Sequence, residues 1–223
     1  RPGEFGVVED LLIDRAFVPD PAGGAEELAA LDDVRPAAPH NVANALAAAS
    51  LARSIGVEPG SVRAGLAAFS PEPHRISHVA SVAGVDYVDD SKATNPHAAA
   101  ASLHSFDSVV WIAGGLLKGA EVGELVAGAV DRMRGAVLIG ADRARIREAL
   151  DKYAPDLPVV EIEGLREEAP AEHTVMDEVV AAATDMAREG DTVLLAPAAA
   201  SMDMFTDYPE RGRFFSEAVN RML

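Results

Sequence analysis

Three short stretches concentrate the residues able to do chemistry. Asp90-Ser91-Lys92-Ala93-Thr94-Asn95-Pro96 sets an acid, a cation and hydroxyls close together. Gly114-Gly115-Leu116-Leu117-Lys118-Gly119 places a cation in a glycine-rich run, and Pro197-Ala198-Ala199-Ala200-Ser201-Met202-Asp203-Met204-Phe205 follows small residues with a hydroxyl and an acid. Glycine and alanine let a backbone come close to a ligand, while ammonium and hydroxyl groups donate to anionic oxygens. The combination suits an anionic small molecule. It does not suit a self-contained phosphate cradle, because no G-x-x-x-x-G-K-[ST] string occurs and the run Gly114 to Lys118 has the wrong spacing for one. A protein-built metal site is not expected either. Of the six histidines (40, 74, 78, 97, 104 and 173), only His74 and His78 stand four apart, and they follow Pro73, where no helix should align them.

Each feature also has a plainer reading. Asp90 and Ser91 suit the cap of a following helix, with Pro96 near its first turn. Gly114-Gly115 suits a strand-to-helix turn, and Lys118 a solvated surface lysine. Ser201 suits a cap ahead of a helical turn at Asp203 and Met204, and Arg211 and Arg213 suit pairing with surface acids. Residue type alone leaves both readings open.

The elements that must position these stretches follow from periodicity. Residues 5–18 mix β-branched and aromatic side chains and read as one or two short strands, ended by a Pro/Gly turn cluster at 19–24. An alanine-rich helix is expected over 41–55 and a second over 61–69, with Ser61 as its cap. Pro71 and Pro73 then stop helical structure, and a domain boundary belongs at about 71–75. Beyond it, short apolar runs at 85–89, 109–113, 136–139, 159–162 and 192–196 alternate with helical periodicity at 97–103, 120–133, 142–152 and 174–188. Strands alternating with helices build βαβ units around a mostly parallel sheet covered on both faces, an α/β fold. Ligands of such sheets bind outside the carboxyl ends of the strands. All three stretches fall there.

Composition removes several classes of function. The chain of 223 residues carries a formal net charge of −17, spread along its length. That field repels phosphate backbones and argues against nucleic-acid partners. At 49% apolar residues the chain is no disordered acidic segment, yet no apolar run approaches the roughly 20 residues of a membrane span. It contains no cysteine, which excludes disulfides and thiolate chemistry and fits the cytoplasm. It opens at Arg1 without an initiator methionine or a visible secretory signal, as expected of a piece that begins mid-protein.

Taken together, His40-Asn41-Val42-Ala43-Asn44-Ala45 opening a helix, Pro73-His74-Arg75 at the boundary, and Asp90 to Pro96 resemble the Mur ligases of peptidoglycan synthesis. So does the later Ala196-Pro197-Ala198-Ala199-Ala200-Ser201-Met202-Asp203, followed by Arg211-Gly212 and Phe215. The Asp-Ser-Lys-Ala-Thr-Asn form and the Ser-x-Asp…Arg-Gly ending look like those of the D-glutamate-adding branch, where other members usually carry an Asp-Tyr-Ala-His type string in place of the first. Ala196 and Ala199 depart from the Ser and Cys common in that branch, and Tyr208 stands where many members have Phe.

The resemblance implies a chain with two parts. Residues 1–74 would be the end of a central α/β ATP-binding domain, and 75–223 a C-terminal Rossmann-like domain for the incoming amino acid. It implies an ATP-dependent ligase that adds D-glutamate to UDP-N-acetylmuramoyl-L-alanine through an acyl phosphate. Carried over residue by residue, Asn41 and Asn44 lie near the adenine, Arg75 reaches the ATP phosphates, and Asp90 meets the ribose. By the same resemblance Lys92 would be the phosphate-side catalytic lysine, and Thr94, Lys118 and Ser201 would hold the D-glutamate carboxylates beside the Tyr208 ring. ATP and Mg2+ are the implied cofactors. The uridine-binding domain, the phosphate loop and the central-domain acids, histidine and modified lysine that hold magnesium are missing, so the chain would be inactive alone. Two alternatives stay open: a fragment of another Mur or folylpolyglutamate-type ligase, and a standalone Rossmann-like binding module.

Overall fold

A computed structural model describes residues 1–35, 37, 39–69, 72–163 and 174–223. Pro71 and His173, singled out in the sequence, lie outside the described residues, as does the side chain of His40. The chain divides into two units, Arg1–Pro71 and Glu72–Leu223. The sequence reading placed Glu72 to His74 with the first part. They belong with the second because His74 is bonded into it, through its ring to Asp89 and through its carbonyl to the Lys92 amide.

In the first unit, β1 (Phe5–Val8), β2 (Leu11–Asp14) and β3 (Glu26–Ala30) form an antiparallel sheet in that order. Helices α1 (Pro39–Ser54) and α2 (Pro59–Ala68) complete the unit. Leu12, Leu28, Val34, Ala45, Ala49 and Val62 make its core. Ser61 does not cap α2: Glu58 is the capping position and Pro59 opens the helix, where proline's missing N–H costs nothing.

In the second unit, β4 (Ser77–Val82), β5 (Val85–Asp89), β6 (Val109–Gly114), β7 (Met133–Ile139), β8 (Val159–Ile162) and β9 (Thr192–Leu195) form one sheet ordered β4-β5-β9-β6-β7-β8. Only β4 runs antiparallel to its neighbour. Its helices are α3 (Pro96–Leu103), α4 (Gly123–Ala129), α5 (Arg143–Tyr153), α6 (Val175–Met186) and α7 (Tyr208–Asn220). Because successive strand residues point to opposite faces, β6 feeds both layers. Trp111 and Ala113 pack with Leu103, Val126, Ile146 and Leu150 of α3, α4 and α5. Val110 and Ile112 pack instead with Val179, Phe215 and Val219 of α6 and α7. Strands buried on both faces must be continuously apolar, as the β6 run is.

The topology fixes where a ligand belongs. The chain leaves β5, crosses to β6, continues to β7 and β8, and returns to insert β9 between β5 and β6. Strand order therefore reverses at β5-β9-β6, and the crevice of a parallel sheet lies at the carboxyl ends of such a switch point.

Candidate functional site

The loops that leave β5, β6 and β9 are sewn together by backbone hydrogen bonds. Ala198 N donates to Ala93 O at 2.9 Å and Gly114 N to Pro197 O at 2.8 Å. Leu116 and Ala200 form an antiparallel bridge, exchanging bonds of 2.8 and 3.0 Å. Gly115 makes that approach possible: its φ is +129°, and a Cβ there would stand 2.1 Å from Ala200 O. The glycine pair is thus no ordinary strand-to-helix turn. On the far side, Asp142 accepts from Leu117 N at 2.7 Å, and Asp203 accepts from Ala141 N at 2.7 Å, which ties in the loop after β7.

This stitching sets Thr94, Lys118 and Ser201 along one edge, each within two residues of a cross-linking backbone group. Thr94 is half-buried, Ser201 buried and Lys118 exposed. Lys118 takes a left-handed φ of +53° and pairs with no carboxylate among the described residues. Ser201 is not a helix cap, since the residues after it form turns; Asp207 caps α7 by accepting from Glu210 N at 2.8 Å. Asp90 and Ser91 do not cap α3 either. That role falls to Asn95, which accepts from Ala98 N at 2.9 Å.

At the end of β5, Asp89 and Asp90 are both buried. Asp89 lies 2.6 Å from His74 Nδ1 and accepts from Ser91 N at 2.9 Å. Asp90 accepts from the Ser102 hydroxyl and, at 3.3 Å, from Ile76 N. Burial pushes both carboxyls above the usual carboxylate range by more than these bonds bring them down, and Asp89 adds to the push on Asp90. Lys92 pairs with Glu72, and its Nζ lies 5.7 Å from the centre of the Tyr208 ring. The same ring meets His74 edge-on at 6.4 Å. Arg75 is exposed, between His74 and Ile76, both at left-handed φ. The structure therefore gathers Arg75, Asp90, Lys92, Thr94, Lys118, Ser201 and Tyr208 at the carboxyl edge of one sheet. Asn41 and Asn44 sit on α1 of the first unit, Asn44 exposed.

One residue at this edge behaves unlike its sequence reading. Arg211 is fully buried and, among the described residues, pairs with no surface acid, whereas Arg213 does pair with Glu210 and Glu217. Burial pulls the Arg211 guanidinium down to about 10, against the opposing charges of Asp203 and Asp89. Among the described residues no group of three or more His, Asp or Glu side chains can hold a metal ion. Nor is any described helix long and apolar enough to cross a membrane.

The family model of the Mur ligase glutamate ligase domain matches residues 74–199, and the chain belongs to that family. More particularly, it is 65% identical over its whole length to the UDP-N-acetylmuramoylalanine--D-glutamate ligase of Thermobifida fusca. It is 61% identical, over 99% of its length, to the enzyme of that name from Streptomyces coelicolor. The chain spans 46% of each of these relatives, about half their length. Among solved structures, a pseudomurein peptide ligase type C from Methanothermus fervidus shares the fold, with a TM-score of 0.63, 16% identity, and coverage of 97% of this chain and 41% of that one. These matches favour neither the folylpolyglutamate-type fragment nor the standalone module.

Proposed function

We propose that this chain is the amino-acid-binding part, with the end of the ATP-binding part, of a cytoplasmic ligase that joins D-glutamate to UDP-N-acetylmuramoyl-L-alanine at the expense of ATP. The observation that carries the reading is the cross-linked edge at β5-β9-β6, which carries an exposed Lys118, unpaired among the described residues, and the hydroxyl residues Thr94 and Ser201. An amino acid with two carboxylates needs such a set, one cation with neighbouring hydroxyl donors. The relatives' printed names supply the same substrate.

Amide formation from a carboxylate needs an activated acyl group. In this reading the acceptor carboxylate takes the γ-phosphoryl group of ATP, ADP leaves, and the amine of D-glutamate attacks the acyl carbon. Phosphate departs with the C–O bond electrons and the nitrogen loses its proton. Lys92 and Arg75 are the cations adjoining the β5 loop and fit the phosphate groups, Lys92 exchanging Glu72 for them. Asp90 takes the ribose, and Asn41 with Asn44 the adenine. Thr94, Lys118 and Ser201 hold the D-glutamate carboxylates, and the Tyr208 ring forms a wall. A magnesium ion, held mostly by residues outside this chain, would supply neutralisation of phosphate charge.

The test is phosphate release. The intact ligase carrying this chain is expected to consume D-glutamate with UDP-N-acetylmuramoyl-L-alanine and to reject other amino acids, and the chain alone to release none. A preference for another amino acid, or turnover by the isolated chain free of contaminating ligase, overturns the proposal.

A further inference from the structure

Arg211 is an expensive residue to bury: a cation taken out of water whose donors, among the described residues, reach no carboxylate, with Asp203 and Asp89 acting on it only through their charge. An apolar side chain of similar volume would fill the space more cheaply. Its donors go elsewhere. Nε donates to Ser91 Oγ at 2.9 Å and Nη2 to Ser91 O at 2.8 Å. Nη1 reaches Ala199 O at 3.2 Å and Gly114 O at 3.5 Å. Those acceptors are Ser91 in the loop after β5, Ala199 in the loop after β9 and Gly114 at the very end of β6, where the third loop departs, and a planar guanidinium holds them in one fixed fork.

Ser91 is as fully engaged. Its hydroxyl accepts from Arg211 while donating to Tyr208 O at 2.8 Å, its amide donates to Asp89 Oδ1, and its carbonyl takes Arg211 Nη2. Both residues are wholly buried, with their polar atoms turned to the loops. We propose that Ser91 and Arg211 are positioning residues, a clamp that fixes the loops bearing Lys92 and Thr94, Lys118, and Ser201 in the mutual arrangement the amino acid requires. The last clause rests on the D-glutamate reading of the site; the clamp itself does not.

Two variants test it, Ser91→Ala and Arg211→Lys. Alanine removes only the hydroxyl, and lysine keeps the charge but loses the fork. Hydrogen exchange on this chain is expected to show the amides of Leu116, Ala198 and Ala200 exchanging at least tenfold faster together, with those of β6 and β9 unchanged. In the intact ligase the KM for D-glutamate is expected to rise about tenfold or more, and the KM for ATP to rise by a smaller factor, because the β5 loop also carries Asp90 and Lys92. If Arg211→Lys fails to fold, Ser91→Ala carries the test alone. Loosening of one loop only, or of the central strands equally with the loops, overturns the clamp. A wild-type ligase indifferent to D-glutamate overturns the substrate reading, while the exchange pattern still decides the clamp.

Discussion

The two edges of the second unit's sheet each bury charge, and they do so in opposite ways. At the amino edge, Asp191 beside β9 is buried, and burial alone would push its carboxyl up. The Ser108 hydroxyl at 2.5 Å, the Arg188 amide at 2.8 Å and Arg134 Nε at 3.2 Å outweigh that push and hold it below the usual range. At the carboxyl edge the balance falls the other way. Asp89 and Asp90 are held above their usual range and Arg211 below its own, each chiefly by burial. The amino edge satisfies its acid and gains stability from it. The carboxyl edge keeps charges whose surroundings do not fully compensate them, a pattern that clusters at functional sites.

The most disruptive way to break the carboxyl edge is Gly115→Ala. Its new Cβ would meet Ala200 O at 2.1 Å in a backbone conformation that only glycine adopts readily. Strain and overpacking together should cost roughly 3–5 kcal/mol, read by thermal or chemical denaturation of the chain. Lys118→Ala, by contrast, should leave stability alone because the side chain is exposed. In the intact ligase it should raise the KM for D-glutamate about ten- to a hundred-fold, the loss of roughly 1.5–3 kcal/mol for one charged hydrogen bond, with the KM for ATP little changed. A D-glutamate KM that does not move would remove Lys118 from the pocket.

How much of this was legible beforehand differs between the regions. The doubly buried strands β6, β7 and β9 announce themselves as apolar runs, and the placement of Lys118 and Ser201 just past the ends of β6 and β9 follows from them. Three elements do not. Glu26–Ala30 of β3 uses glutamate and alanine, weak strand formers. Edge strand β4 is only half-buried, with a bulge between His78 and Ala80. Helix α7 carries Gly212 in its interior, which reads as a break. The reason for that glycine is tertiary: a Cβ there would stand 2.2 Å from His74 Nδ1. Arg211 was illegible for the same reason. Its acceptors lie on loops far away in sequence, and nothing local separates it from the solvated Arg213.

A gentler test compares acids across the edges. Asp191→Asn should cost about 1–3 kcal/mol at pH 7, because it removes a charge on which Arg134 and Ser108 converge. Since the folded-state pKa of Asp191 lies below its unfolded value, that contribution is present above about pH 4 and is lost as pH falls through the folded value. The gap between wild type and variant, followed by denaturation, should therefore narrow in acid. A gap that does not depend on pH would mean that the carboxylate's charge plays no part.

The smallest effect is expected from Asp90→Asn, and its sign is the informative part. The folded-state pKa of Asp90 lies above its unfolded value, mainly through burial, so its proton is held more tightly in the native state. That contribution is full below the unfolded pKa and is lost as pH rises through the folded one. At pH 7 the ionised group is therefore a burden on the fold. Asparagine keeps the shape, can still accept from Ile76 N and can still bond to Ser102, and carries no charge to desolvate. Its stability at pH 7 should equal or exceed that of wild type, within about 1 kcal/mol, and the advantage should vanish toward pH 4. In the intact ligase the proposed role of Asp90 at the ribose predicts that the same change still weakens ATP use, through loss of a charged acceptor. Stability that falls at pH 7, as it should for Asp191→Asn, would place Asp90 with the acids that hold the sheet together and not with those of the site.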